Sequence, residues 1–218
     1  DIVDVVRRIN ELPKPPRISL TTNALRLAEV AHELKDAWLA RVNVSLDTLD
    51  PTRFKEMTHR DRFHDVIAGI EAAQAAGLTP LKVNSVLLKG VNDDEAIPLL
   101  RHALANNWNL RFIEQMPLDA GDLWARPVMV TADEIQKELE REFDLTPVPS
   151  RGSAPAEEFY VNGGPATVGI IASVTRPFCA ACDRLRLTAD GQFRNCLFAR
   201  DETDVRAVLR SGLPQSEI

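Results

Sequence analysis

The three cysteines of this 218-residue chain, Cys179, Cys182 and Cys196, all fall within one short stretch. Two residues separate the first pair, and the third follows after thirteen more. An odd number of cysteines cannot all pair within one chain, and this spacing is that of a ligand set rather than a disulfide framework. Three thiolates around one point suit a soft metal centre. A cubane iron–sulfur cluster held by three cysteines leaves one iron open to a ligand from outside the protein. A tetrahedral zinc site would need a fourth ligand, Asp183 or one of His32, His59, His64 and His102, and every histidine lies more than seventy residues from the cysteines. Structural free thiols are the third reading.

Around the pair runs Arg176-Pro177-Phe178-Cys179-Ala180-Ala181-Cys182-Asp183-Arg184-Leu185-Arg186. Arg184 and Arg186 are two apart, so on an extended segment they project to one side, where two planar forks can grip phosphate oxygens. The plainer alternative is a pair of exposed charges that solubilise a strand. Leu185–Thr188 and Phe193–Cys196 read as strands joined by the turn Ala189-Asp190-Gly191, a hairpin that would return Cys196 to the neighbourhood of the first two cysteines.

The elements that must position these residues change character along the chain. Up to about residue 145, β-branched runs alternate with helical patterns, as in βα units around a parallel sheet. Arg17–Thr21, Arg41–Ser45, Lys82–Leu87 and Leu110–Gln115 are the strand candidates. A helix over Asp65–Ala76 ends at Gly77, a natural residue for the left-handed turn after a helix. Another opens with Thr131 and Glu134 at capping-box spacing and buries Ile135 and Leu139. Strand alternation puts Arg41, Asn43 and Ser45 on one face, opposite Val42, Val44 and Leu46; it likewise groups Lys82 with Asn84 and Glu114 with Met116. A parallel sheet is ordinarily apolar on both faces, so a polar face on successive strands fits either a barrel with a polar lumen or an edge open to solvent. After about residue 145, Pro147, Pro149, Gly152, Pro155, Gly163 and Gly164 punctuate shorter segments, with Phe159–Val161 and Thr167–Ala172 as further strands.

Composition narrows the classes. With 44% hydrophobic and 27% charged residues the chain is that of an ordinary globular protein rather than a disordered one. A net charge of −6 argues against a general nucleic-acid or membrane surface, while leaving room for a local basic pocket. There is no run of about 18 apolar residues and no secretory n-region, so a cytoplasmic location is expected.

The stretch Ser173-Val174-Thr175-Arg176-Pro177-Phe178-Cys179 through Cys196-Leu197-Phe198 resembles the C-terminal cluster region of the GTP 3',8-cyclase family, radical-S-adenosylmethionine (radical-SAM) enzymes of molybdenum cofactor biosynthesis. The resemblance extends through Thr21-Thr22-Asn23-Ala24, Val44-Ser45-Leu46-Asp47, Lys82-Val83-Asn84, Phe112-Ile113-Glu114-Gln115-Met116-Pro117-Leu118 and Gly163-Gly164, in order along the chain. It implies an α/β fold: a partial TIM-type radical-SAM barrel over residues 1–145, and a C-terminal β-containing extension over 146–218 carrying an iron–sulfur site. In the family, an N-terminal [4Fe–4S] cluster cleaves S-adenosyl-L-methionine. The 5'-deoxyadenosyl radical takes the ribose 3'-hydrogen of GTP, giving (8S)-3',8-cyclo-7,8-dihydroguanosine 5'-triphosphate, a step toward cyclic pyranopterin monophosphate. The C-terminal [4Fe–4S] cluster binds the guanine end of GTP.

Carried over residue by residue, the resemblance assigns Cys179, Cys182 and Cys196 to the C-terminal cluster. Ser45 and Met116 become S-adenosylmethionine contacts, at the strand ends where such barrels build sites. Thr21, Lys82, Arg184, Leu185 and Arg186 become GTP contacts. A lysine facing a lumen is costly without an anion, and a triphosphate would supply one; otherwise Lys82 snorkels to solvent and Met116 is core filler. The implied hand-over partner is the cyclic pyranopterin monophosphate synthase.

This chain holds no Cys-x3-Cys-x2-Cys and no Gly-Gly-Glu-Pro segment, and it stops at Pro214-Gln215-Ser216-Glu217-Ile218 without the family's double-glycine tail. The expectation is a fragment, inactive alone, with the second [4Fe–4S] cluster belonging to an N-terminal segment. Core surface left bare by absent strands would favour a homodimer. A non-catalytic GTP- or metal-binding module, or another radical-SAM enzyme with an auxiliary cluster, is the alternative.

Overall fold

The computed structural model describes residues 1–118, 124–149 and 151–214; residues 215–218, at the chain's final stretch, lie outside it. Two compact units divide between Phe178 and Cys179.

In the first unit, α1 (Ile2–Asn10) is followed by β1 (Ser19–Thr22), α2 (Leu27–Asp36), β2 (Arg41–Ser45), α3 (Pro51–Thr58), α4 (Phe63–Ala75), β3 (Lys82–Ser85), α5 (Ala96–Ala105) and β4 (Asn109–Ile113). Then come α6 (Ala132–Leu139), β5 (Leu145–Pro147), β6 (Glu157–Val161) and β7 (Thr167–Ile171). One sheet takes all seven strands in the order β1-β2-β3-β4-β7-β6-β5. The first five in that order are parallel, and β6 and β5 add antiparallel strands. The fold is thus mixed α/β with a parallel-dominated sheet.

Alternation explains which face is core. Val42, Val44, Val83, Leu110, Phe112, Val168 and Ile170 are buried against Leu34, Ile70, Leu99, Leu100, Ile135 and Leu139 of the helices. The capping box at Thr131 and Glu134 forms, and Gly77 takes φ +73° after α4. β3 ends at Ser85, short of Leu87, because Asp47 Oδ1 accepts the N–H of Val86 at 2.8 Å and Asn92 Oδ1 accepts that of Leu88 at 2.7 Å. Side chains thereby replace the ladder and turn the chain out of the sheet.

The helical rhythm stops near residue 145, but the sheet does not. Val168, Gly169, Ile170 and Ile171 are buried in succession, the pattern of a strand covered on both faces, and β7 takes its place between β4 and β6.

The second unit contains β8 (Arg186–Leu187), β9 (Gln192–Arg194), β10 (Thr203–Asp204) and α7 (Val205–Leu209). β8 and β9 form the expected hairpin: Thr188 N–H donates to Gln192 O at 2.9 Å, and Gly191 turns at φ +88°. The strands are shorter than the sequence pattern, so Cys196 lies beyond the end of β9. No helix among the described residues is long and apolar enough to cross a membrane.

Candidate functional site

The polar face of the first unit's sheet is built by register. Thr21, Asn43, Lys82 and Asn109 stand opposite one another across β1 to β4, and Ser45, Asn84, Arg111, Gly169 and Glu158 form the next row. Asn43 Nδ2 donates to Thr21 Oγ1 at 3.0 Å, Arg111 Nε to Asn84 Oδ1 at 2.9 Å, and Asn109 Nδ2 to Thr167 Oγ1 at 3.0 Å. Thr21 is exposed, whereas Lys82 and Arg111 are half-buried.

Charge on this face is unbalanced. Burial lowers the pKa of Lys82, the nearby charges of Arg111 and Arg41 lower it further, and Glu158 opposes them. Arg111 is lowered too, first by burial and then by Arg41. Three cations thus share one carboxylate. Arg41 Nε, Asn43 Oδ1 and Asn109 Oδ1 are buried and find no hydrogen-bond partner among the described residues. A half-buried surplus of positive charge with spare polar atoms is equipped for a multiply charged anion.

Ser45 is exposed at the C-terminal end of β2 and lines a cavity of 180 Å³ with Asn23, Asp47, Phe54, Met57 and Arg60 among others. Burial raises the pKa of Asp47, against the hydrogen bond from Val86 N–H. Met116 is half-buried beyond the end of β4.

Glu114, assigned no role by its position in the strand pattern, is the organising carboxylate of this unit. It is fully buried, and its two oxygens accept N–H from Ala132 at 2.8 Å, Val174 at 2.8 Å and Thr175 at 2.9 Å, together with the Thr175 hydroxyl. Burial pushes its pKa up, but these hydrogen bonds outweigh burial and hold it below the ordinary value. It joins the end of β4 to the start of α6 and to the segment that leads from β7 to the cysteines. The only trace of this in sequence is an acidic residue closing an apolar strand.

In the second unit, all three cysteines are free thiols; Cys179 is exposed and the other two are half-buried. Cys182 N–H donates to Cys179 O at 3.1 Å, closing a tight turn. Cys182 Sγ accepts from Arg184 Nε at 3.3 Å and Nη2 at 3.2 Å, and Cys196 Sγ accepts from Phe198 N–H at 3.4 Å. The backbone N–H of Arg184, its guanidinium and the charge of Arg186 lower the pKa of Cys182 and so favour the thiolate that a metal requires. No group of three or more His, Cys, Asp or Glu among the described residues is arranged to hold a metal ion, so the cysteines are not drawn to one point. The donor chemistry fits an iron–sulfur cluster: soft sulfurs in one short segment, two of them already supported by N–H donors.

Arg184 and Arg186 are half-buried on one side of the extended segment, while Leu185, 64% exposed, lies on the other. Arg186 Nη1 is buried without a hydrogen-bond partner among the described residues. A cavity of 520 Å³ lies beside Leu185, Phe193, Cys196 and Phe198.

Comparison with known proteins matches the chain to two family models. The Radical SAM superfamily model matches residues 1–103, and the Molybdenum Cofactor Synthesis C model matches residues 108–218. A Streptomyces coelicolor protein named GTP 3',8-cyclase is 59% identical over 219 aligned residues, covering 100% of this chain and 64% of that protein. The GTP 3',8-cyclase of Mycolicibacterium smegmatis is 52% identical over 99% of this chain and 61% of its own length. GTP 3',8-cyclase 2 of Mycobacterium tuberculosis is 50% identical over the same shares. The chain therefore spans somewhat less than two thirds of these curated relatives. With its second half matched from Trp108 onward, the chain belongs to the Molybdenum Cofactor Synthesis C family.

Proposed function

We propose that the chain is the larger part of a GTP 3',8-cyclase of molybdenum cofactor biosynthesis. The observation that carries this reading is a similarity, 50 to 59% identical over 99 to 100% of the chain, to relatives that bear that name. The half-buried cationic face of the sheet supports it, because a triphosphate supplies the negative charge that Lys82, Arg111 and Arg41 lack.

On this reading the sheet is part of a radical-SAM barrel. Thr21 and Lys82 bind GTP, as do Arg184, Leu185 and Arg186, and Ser45 and Met116 contact S-adenosylmethionine. Cys179, Cys182 and Cys196 hold a [4Fe–4S] cluster, whose open iron would supply a ligand position for guanine. Cluster binding would draw the three sulfurs together, coupling metal affinity to the local arrangement of the segments that carry them. Lys82 neutralises phosphate charge, and the half-buried row of Asn84 and Arg111 keeps the cationic face in place. The three cysteines provide for one cluster only, so radical generation is assigned to cysteines outside these 218 residues. Residues 1–145 then act as the barrel part and 146–218 as the cluster-bearing extension, in a cytoplasmic enzyme that passes its product to the cyclic pyranopterin monophosphate synthase. A homodimer is the proposed assembly.

The test uses the longer gene product and the 218-residue chain, each reconstituted anaerobically with iron and sulfide. With GTP, S-adenosylmethionine and a reductant, the longer product yields 5'-deoxyadenosine and a cyclised nucleotide, and the 218-residue chain binds GTP but yields neither. 5'-Deoxyadenosine from the 218-residue chain would overturn the assignment of the radical source. A longer product that cleaves S-adenosylmethionine yet leaves GTP intact would overturn the substrate.

A further inference from the structure

Half-buried and buried residues alternate without a break along β4 from Asn109 and on past its end to Gln115. Asn109, Arg111, Ile113 and Gln115 therefore share the polar face, while Leu110, Phe112 and Glu114 are buried on the other. The backbone at Gln115 is fixed on every side. Glu114 N–H donates to Ile171 O at 3.1 Å, Trp124 Nε1 donates to Gln115 O at 3.0 Å, and Leu118 N–H donates to Met116 O at 2.8 Å. Gln115 as a whole is half-buried, yet its side-chain Oε1 is buried and finds no hydrogen-bond partner among the described residues. An amide oxygen withdrawn from solvent on so constrained a backbone is costly unless a donor from outside the chain meets it.

We infer that Gln115 is a further binding residue of the first unit's site, its side-chain oxygen accepting a hydrogen bond from an uncharged N–H or O–H donor of a bound nucleoside. This rests on the proposed function, which brings two nucleosides to the chain, in S-adenosylmethionine and in GTP, each with ribose hydroxyls and an exocyclic amine. The place of Gln115 on the face separates it from the cations. It stands four residues beyond Arg111, about 13 Å along an extended chain, at the end of the sheet where Met116 and, on β2, Ser45 also lie. An ionised phosphate has no donor to offer a carboxamide oxygen, whereas sugar and base do. Were Oε1 satisfied by water alone, removing it would leave nucleoside affinity unchanged.

The experiment compares the longer gene product, reconstituted anaerobically with iron and sulfide, with its Gln115→Met variant, which keeps the length of the side chain and loses the acceptor. Calorimetric titrations without reductant measure the affinity for S-adenosylmethionine and for GTP separately. The expected result is a loss of about three- to tenfold for one of the two, the size of a single net hydrogen bond, with the other unchanged. The ligand that loses affinity is the one whose nucleoside meets Gln115. If circular dichroism shows that Gln115→Met does not fold, Gln115→Asn is read in its place by the same criteria, since it keeps the amide and sets its oxygen back by one methylene. Unchanged affinity for both ligands overturns the inference and leaves the proposed function standing. An equal loss for both also overturns it, because a disturbed site and not a single contact would then be the cause. A wild-type product that binds neither ligand overturns the proposed function and the inference together.

Discussion

Gly169 faces Arg111 across the β4–β7 ladder so closely that a Cβ at residue 169 would stand 3.0 Å from Arg111 Cγ and 3.2 Å from Ala156 Cβ. The missing side chain makes room for the arginine to lie against the sheet, with Nε on Asn84 and Glu158 next in the row. Gly169→Ala should therefore cost about 1–3 kcal/mol through overpacking, read from the denaturant midpoint. In an Arg111→Ala background most of that cost should vanish, because Cγ and Cδ are gone. An equal cost in both backgrounds would show that Arg111 is not what the glycine accommodates.

Glu114 gives a pH-dependent prediction with a definite sign. Its folded-state pKa is lowered from 4.5, so its stabilising contribution is complete above the ordinary carboxylate range and is lost as pH falls through the lower, folded value. Glu114→Gln should destabilise the chain by about 1–3 kcal/mol near neutral pH, since an amide cannot satisfy all the donors gathered there. The gap between variant and wild type should then narrow in acid. Urea unfolding of both proteins from neutral pH downward measures it, and a gap that stays constant with pH would exclude the carboxylate as its source.

Anaerobic reconstitution should load about four irons per chain, with broad visible absorbance. Alanine at Cys179, Cys182 or Cys196 should abolish or sharply reduce that loading. Stoichiometric zinc without visible absorbance in the wild-type chain would favour a zinc site instead.

Lys82→Ala and Arg186→Ala should each weaken GTP binding by the cluster-loaded chain about ten- to a hundredfold, the loss of a charge-assisted hydrogen bond of roughly 1.5–3 kcal/mol. Arg210→Ala, at an exposed position, should bind as wild type does. Calorimetric titration separates the outcomes, and indistinguishable affinities in all three would remove both residues from the nucleotide site.

Short-range chemistry made much of this legible from sequence. β2 runs over Arg41–Ser45 as its alternation requires, the Thr131–Glu134 box caps α6, Gly77 follows α4 with positive φ, and Gly191 turns the cysteine hairpin. Each depends on residues within a few positions of one another, so the pattern contains its own cause. The polar face was legible for the same reason. The insertion of β7 beside β4, pairing Leu110 with Val168, was not, because a buried strand's neighbours are chosen by what must be covered and not by local spacing. Glu114 reads as an odd acid at a strand end until Ala132, Val174 and Thr175 bring their N–H groups to it. Arg184 and Arg186 read as twins. Arg184 lies on the Cys182 sulfur while Arg186 Nη1 is buried without a hydrogen-bond partner among the described residues, and only the folded structure tells the two apart.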